Sequence, residues 1–188
     1  LKWSEESIGR VLAWQVFDRK HLLILPNCQW AGDEADILVV TPNLRVIDVE
    51  IKISRADLKA DARKEKWFER WDYRIDGPYR QDLSGRRPRQ WPSNVWKHYY
   101  CLPLDIWKPE LFECISPMSG VLTLQSASDG SPIVRCQRKA TPNRKADRID
   151  PEDAIDIARL ASFRMWDAFK RLDEMRATEA VDVAQEKP

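Results

Sequence analysis

The chain lacks a net charge, a paired-cysteine metal motif and a long apolar run, and each lack removes a class of function. Lys plus Arg number 31 and Asp plus Glu 30, for a formal net charge of +1. No global charge excess draws in a polyanion, so any nucleic-acid affinity has to come from local patches. No run approaches the roughly 18 apolar residues of a membrane span, and no secretory signal is visible. The cysteines Cys28, Cys101, Cys114 and Cys136 are scattered without a C-x-x-C pair, and there are only 2 histidines. That argues against a zinc site and for free thiols in a reducing cytoplasm. No internal repeat is evident. A length of 188 residues suits one domain with a real core, expected over 1–176, and a polar, disordered tail over 177–188. The first residue is Leu1, so an upstream methionine or leader is expected to be missing. Tryptophan, by contrast, is plentiful at 9 residues.

The informative stretch is ADILVVTPNLRVIDVEIKIS, from Ala35 to Ser54. It reads as two strands and a tight turn. Ile37, Leu38, Val39 and Val40 form an apolar run. Thr41, Pro42 and Asn43 supply turn chemistry. The second strand alternates, with Val46, Asp48, Glu50 and Lys52 on one side and Ile47, Val49, Ile51 and Ile53 on the other. Antiparallel pairing would bring Asp36 beside Glu50 and Lys52. Two carboxylates can share a hard cation such as Mg²⁺, and a neighbouring lysine can position a water or stabilise charge on a phosphate. The plainer reading is an amphipathic edge strand whose Asp48, Glu50 and Lys52 face solvent.

The residues around this stretch carry a resemblance. Asp36 and Glu50-Ile51-Lys52 are followed by Ser54-Arg55-Ala56-Asp57, then Lys66-Trp67, then His98-Tyr99-Tyr100-Cys101-Leu102-Pro103. Over 22–133 the chain resembles the PD-(D/E)XK nuclease superfamily, and is most similar to its MmcB-like group of proposed DNA-repair nucleases. The segment between Trp67 and Trp96 is longer than that group leads one to expect, which leaves the substrate open. The resemblance implies an α/β fold with a restriction-endonuclease-like core, a central mixed β-sheet flanked by helices. It also implies a nuclease dependent on Mg²⁺ or Mn²⁺. Asp36 and Glu50 would hold the metal, with the carbonyl of Ile51 as a further ligand, and Lys52 would position the water. Members often place a carboxylate from the first helix at the metal; Glu6 is the candidate here, with Glu5 as the alternative, and helix-dipole compensation explains both equally well.

The remaining elements follow from local signals. A helix is expected over 4–17, capped by Ser4, and a strand over 21–30, broken at Pro26. A mixed-charge helix is expected over 55–71. The segment 72–97 is loop-like, basic and aromatic, and reads as a DNA-contacting insertion. The nucleic-acid-binding set is Arg55, Arg80, Arg86, Arg87, Arg89, Trp91 and Lys97, since arginines meet phosphates and exposed rings stack on bases. Tryptophans that pin the loop to the core are the alternative. A core strand over 97–103 and a hairpin turning at Asp129-Gly130 follow. The last helix, 151–176, starts at Pro151 behind Asp150. Its stripe of Ala158, Ala161, Met165, Ala168, Leu172 and Met175 should pack on the sheet or on a partner. The expectation for the whole is a metal-dependent deoxyribonuclease that binds DNA, with RNA left open, no membrane partner, and a homodimer compatible with the sequence. Its rival is a catalytically silent nucleic-acid-binding or inhibitor protein on the same fold. An exposed cleft lysine contributes little to stability, so Lys52→Ala is expected to leave the melting temperature nearly unchanged.

Overall fold

The computed structural model describes residues 3–69 and 86–185. The chain divides into two compact units, Leu1–Ile149 and Asp150–Pro188, where the sequence suggests one domain through 176. The first unit is an α/β fold built on a 6-stranded sheet in the order β1-β2-β3-β4-β5-β6. The strands are β1 (Leu23–Trp30), β2 (Asp33–Val40), β3 (Val46–Ile51), β4 (Lys97–Pro103), β5 (Gly120–Ser126) and β6 (Pro132–Arg138). The β1-β2-β3 and β5-β6 pairs are antiparallel, and β3-β4-β5 are parallel. The sheet is therefore mixed, with β3 and β4 at its centre.

Both faces are covered. Helix α1 (Glu5–Leu12) is capped by Ser4 in reciprocal bonds with Ser7 and continues as a π-helical turn, Ala13–Phe17. Its Ile8 and Leu12, with Phe17, pack on Ile37, Val39, Ile47, Val49 and Ile51. On the other face, Leu58 of α2 (Arg55–Asp61) packs with Trp67, Tyr100, Leu102 and Val121. Burial on both sides is the rule for parallel strands, and it removes the solvent-facing edge strand considered for 46–52.

Three local readings change in three dimensions. Pro26 does not break β1, because β1 lies at the sheet edge, where a missing N–H is tolerated. The register runs unshifted from Leu23↔Val40 to Trp30↔Asp33, with Asn27 at φ +49° between the pairs Pro26↔Ile37 and Cys28↔Ala35. The helix expected over 55–71 stops at Asp61 and is followed by a turn and a 3₁₀ segment, Glu65–Trp67. Helix α3 runs over Pro151–Gln185, past the expected end at 176. No glycine or proline interrupts 177–185, so nothing in the local sequence stops it. Its Met165, Leu172 and Met175 are exposed, as are Ile155, Phe163, Trp166 and Phe169. Among the described residues no helix is long and apolar enough to cross a membrane, and the four cysteines are free.

Candidate active site: a buried ring of charges beside a cleft

The register of β2 on β3 builds the site. Ile37 pairs with Val49 and Leu38 with Asp48, so the next position sets Asp36 opposite Glu50 on one face of the sheet. The ladder ends at Ile37↔Val49. Beyond it the Ile51 N–H donates to Asp36 Oδ2 at 2.7 Å, in place of a backbone partner on β2. The Lys52 N–H donates to the Cys101 carbonyl at 2.9 Å, which keeps the end of β3 on β4. Lys52 Nζ lies 2.5 Å from Glu50 Oε2 and 3.8 Å from Asp36 Oδ2. Asp36, Glu50 and Lys52 therefore converge as the alternation of the two strands predicts.

The sequence reading missed the other half of the cluster. Lys66 Nζ lies 2.5 Å from the second Glu50 oxygen, Oε1, and 3.8 Å from Asp61 Oδ2. Lys52 Nζ lies 3.3 Å from Asp61 Oδ1. Glu50, Lys52, Asp61 and Lys66 thus alternate in sign around a closed ring. Tyr100 Oη donates to Asp61 at 2.6 Å and Trp67 Nε1 at 3.3 Å, and Lys64 reaches it from the surface at 2.8 Å. The break after α2 makes this ring. In a continuous helix Asp61 and Lys66 would point about 140° apart; the turn brings both back to Glu50. One signal was available: Asp61 sits a turn after Leu58 on the apolar side of α2, an expensive place for an unpaired carboxylate.

The ring is nearly shut off from water, with Glu50 1% exposed, Lys52 3%, Lys66 5% and Asp61 0%. Burial works against the ammonium charge of Lys52, yet Glu50 and Asp61 more than offset it and hold its pKa above the ordinary lysine range. Lys66 is likewise raised despite burial, by Asp48, Glu50 and Asp61. Burial alone would push Asp61 up, but Lys66 and Lys52 hold it well below the usual carboxylate range. The neighbours outside the ring behave differently. Asp36 is raised to about 6, first by burial and then by Glu50, with Glu5 adding to the rise; the Ile51 N–H and Lys52 oppose it. Asp48 is raised to about 7 by burial, with Glu50, Asp61 and Asp36 adding and Lys66 opposing. His98, fully buried, is pushed well below its ordinary value by burial and by Lys66. Its Nδ1 bonds Ser119 Oγ at 2.9 Å, while Nε2 stands 3.9 Å from Asp48 Oδ2.

A cleft of about 510 Å³ opens on the α1 side of the sheet; of the charged cluster only Asp36 lines it, and the ring residues Glu50, Lys52, Asp61 and Lys66 do not. Asp36 and Ile51 line it from the sheet, and Glu5 and Glu6 line it from α1. Glu5 is the helix carboxylate whose charge Asp36 feels. The favoured Glu6 is paired with Arg10 at 3.7 Å, and its side chain is 82% exposed. The donor chemistry of Asp36, Glu50 and the Ile51 peptide suits a hard divalent cation. The charge count also suits one. Asp36, Asp48, Glu50 and Asp61 face the buried ammonium groups of Lys52 and Lys66, and the carboxylates left over are the two that titrate high. Among the described residues no three His, Cys, Asp or Glu side chains form a ready metal cage. Glu50 has both oxygens engaged by lysines.

The expected nucleic-acid contacts are mostly spoken for. The Arg55 guanidinium donates to the carbonyls of Ile106 and Asp105 at 2.6 and 3.2 Å. Arg86 pairs with Glu65 at 3.2 Å with its side chain only 6% exposed, and Arg87 pairs with Glu69 at 2.8 Å. Trp91 Nε1 donates to the Thr141 carbonyl at 2.9 Å, which pins the ring to the protein. The Arg89 N–H bonds the Trp67 carbonyl. Lys97 lies over the Trp96 ring, at 4.4 Å, and lines a pocket with Val16, Phe17 and Ile47 on the α1 face. That is the opposite face from Glu50 and Lys52. Arg80 lies outside the described residues.

Comparison with known proteins adds the fold and nothing finer. No family model and no curated protein matches the chain. A solved structure of a protein of unknown function from Silicibacter pomeroyi is similar, with a TM-score of 0.52 at 16% identity, covering 95% of this chain and 96% of that one.

Proposed function

We propose that the protein is a metal-dependent deoxyribonuclease of the PD-(D/E)XK type that hydrolyses phosphodiester bonds. The observation that supports this reading is the meeting of Asp36, Glu50 and Lys52 where β2 and β3 part, with Asp36 and Ile51 opening onto a cleft. Asp36, Glu50 and the Ile51 carbonyl would hold Mg²⁺ or Mn²⁺. When bound, such an ion lowers the pKa of a coordinated water and polarises a phosphoryl oxygen. The chain's own residues supply the rest. Asp36, raised to about 6 by burial and by Glu50, is the carboxylate of the set that lines the cleft and would meet an entering ion. The Ile51 N–H fixes its orientation. Lys52 stays cationic, so its ammonium can orient a water and face charge developing on a phosphate.

A second reading has its own support. Both Glu50 oxygens are held by lysines, which leaves that carboxylate no free oxygen for a metal and so supports a silent nucleic-acid-binding or inhibitor protein on this fold. Incubation of the purified chain with single-stranded, duplex and branched DNA in Mg²⁺, Mn²⁺ or EDTA separates the two. The nuclease reading expects cleavage with Mg²⁺ or Mn²⁺ and none with EDTA. It also expects Mn²⁺ to raise the melting temperature, by about 2.7 kcal/mol of stabilisation at a hundredfold excess over Kd, and Glu50→Gln to lose most of that response. Equal responses of wild type and Glu50→Gln, without cleavage, would leave the silent module as the better description.

A further inference from the structure

We infer that a second pocket, on the α1 face of the sheet, is a binding site for a small aryl carboxylate, a flat apolar body with one anionic head. The inference is independent of the metal-dependent reading above and uses none of Asp36, Glu50 and Lys52.

The pocket has a volume of about 490 Å³, within the range of small-molecule sites. Its floor is the sheet, with Ile47 from β3, Tyr99 from β4, Leu122 from β5 and Cys136 from β6. Phe17 closes one side from the end of the first helical segment, and the turn at 41–43 closes another. Parallel strands are ordinarily covered on both faces. Here the cover thins toward β6: Trp96 and Tyr99 are half-buried and Cys136 is exposed. A ligand seated there takes apolar surface out of water.

Two observations set the chemistry of the occupant. The first is the wall. Phe17, Trp96 and Tyr99 supply three aromatic rings, and aromatic rings pack on one another offset or edge to face. Tyr99 is fixed in place. A Cβ on Gly120 would lie 2.3 Å from two of its ring carbons, so a side chain there would displace the ring, and the Ala140 N–H bonds its hydroxyl. The second is the sign of the polar groups. Lys97 and Lys139 line the pocket, and no Asp or Glu does among the described residues. Unlike Lys52 and Lys66, neither lysine pairs with a carboxylate among the described residues. Lys97 is instead held over the Trp96 ring at 4.4 Å, which sets an ammonium against the aromatic wall. Asn43 accepts from Thr41 through Oδ1 at 2.6 Å, so the other end of its amide is a donor. Donors therefore stand over an apolar floor, the arrangement for an anionic head on an apolar body. The 510 Å³ cleft has the opposite sign, with Glu5, Glu6 and Asp36 against Arg10.

Cys136 is the reporter for the test, because it lines the pocket and is exposed, while Cys114 does not line it. The whole chain is alkylated with iodoacetamide in the presence of 1-naphthoate, and labelling of each cysteine is read by peptide mass spectrometry. Labelling of Cys136 should slow saturably as 1-naphthoate rises, with Cys114 unaffected. 1-Naphthamide has the ring without the charge and should bind about tenfold more weakly, a difference of about 1.4 kcal/mol. Acetate has the charge without the ring and should not protect. Lys139→Met should weaken 1-naphthoate about tenfold and leave 1-naphthamide within about twofold, a split that a merely structural lysine would not produce. Lys97→Met should behave alike, and Lys97→Arg, which keeps the charge and the stacking, should restore protection. Absence of saturable protection at millimolar 1-naphthoate would overturn the inference. So would equal protection by the amide or by acetate, or unchanged affinity for 1-naphthoate in both methionine variants. Decanoate protecting more tightly than 1-naphthoate would overturn the aryl assignment in favour of an acyl chain. No metal is added and no DNA is cleaved, so each of these outcomes leaves the nuclease reading where it stands.

Discussion

The two faces of β3 are both buried, and opposite physics holds them. On one face Ile47, Val49 and Ile51 meet Ile8, Leu12 and Phe17 of the first helical segment. That contact is non-directional, scales with apolar area, and tolerates changes of shape. On the other face Asp48, Glu50 and Lys52 are equally hidden from water; Glu50 and Lys52 have charged partners at specific distances, while Asp48, with one oxygen unpartnered, is pushed toward its protonated form. An apolar face loses stability in proportion to what is removed. A charged face loses far more, because each deletion strands the partners left behind. The comparison also shows why the charged face is the better candidate for function: it is strained toward excess negative charge, while the apolar face carries no chemistry.

The largest expected effect comes from deleting one member of the ring. Lys52→Ala should destabilise the protein by about 3–5 kcal/mol, the usual penalty for breaking a buried ion pair, in urea or thermal unfolding at pH 7.5. This replaces the expectation of a nearly unchanged melting temperature, which assumed an exposed lysine; Lys52 is 3% exposed. A loss below about 1 kcal/mol, the range of surface pairs, would mean that the ring is open to water in solution.

A smaller effect of the opposite sign is expected at Asp48. Its carboxyl is raised from 3.8 to about 7. The folded state therefore holds a proton that the unfolded state has lost between those values, and stability falls as pH rises through that window. Asp48→Asn removes this loss. The variant should match wild type near pH 4 and be more stable at pH 8, by on the order of 3 kcal/mol, part of the gain being cancelled because Lys66 loses a neighbour. Unfolding curves from pH 4 to 8 check it. A stability difference that does not grow with pH would show that Asp48 is ionised throughout.

The smallest effect belongs to the apolar face. Ile47→Val should cost about 0.5–1.5 kcal/mol, with no dependence on pH and no change in Mn²⁺ affinity. If it altered metal binding as strongly as a ring substitution, the two faces would be coupled through the strand, and the contrast between them would fail.

Much of the fold was legible because its signals are local. The period-2 alternation in 46–53 located β3 and sorted its side chains between faces. Ser4, Pro151 and Asp129-Gly130 marked two helix starts and a hairpin turn, all of which the structure contains. The meeting of Asp36 with Glu50 and Lys52 was also legible, because antiparallel register follows from the tight turn joining the two strands. The ring was not. Asp61 and Lys66 face Glu50 only because α2 stops at Asp61, and no glycine or proline in 55–67 announces that stop. The mixed-charge pattern there reads equally well as one long solvated helix. Likewise Arg86 and Trp91 read as ligand-contacting residues in a basic loop, and the fold uses them for an ion pair with Glu65 and a bond to Thr141.

The division follows the range of the interactions. Side-chain alternation, capping and turn chemistry act over two to four residues, so the chain's own order settles which residues form strands, which faces they present, and that Asp36 lies beside Glu50. The partners of Glu50 come from 2 and 16 positions away, and Asp61 meets Tyr100 across 39. Contacts of that kind form only when β3, β4 and the turn after α2 are packed together. Burial then converts ordinary lysines and aspartates into a ring of fixed charges. Whether a carboxylate faces water or an ammonium is a property of that packing, because the strength of a charge interaction depends on the dielectric around it, and the fold sets the dielectric.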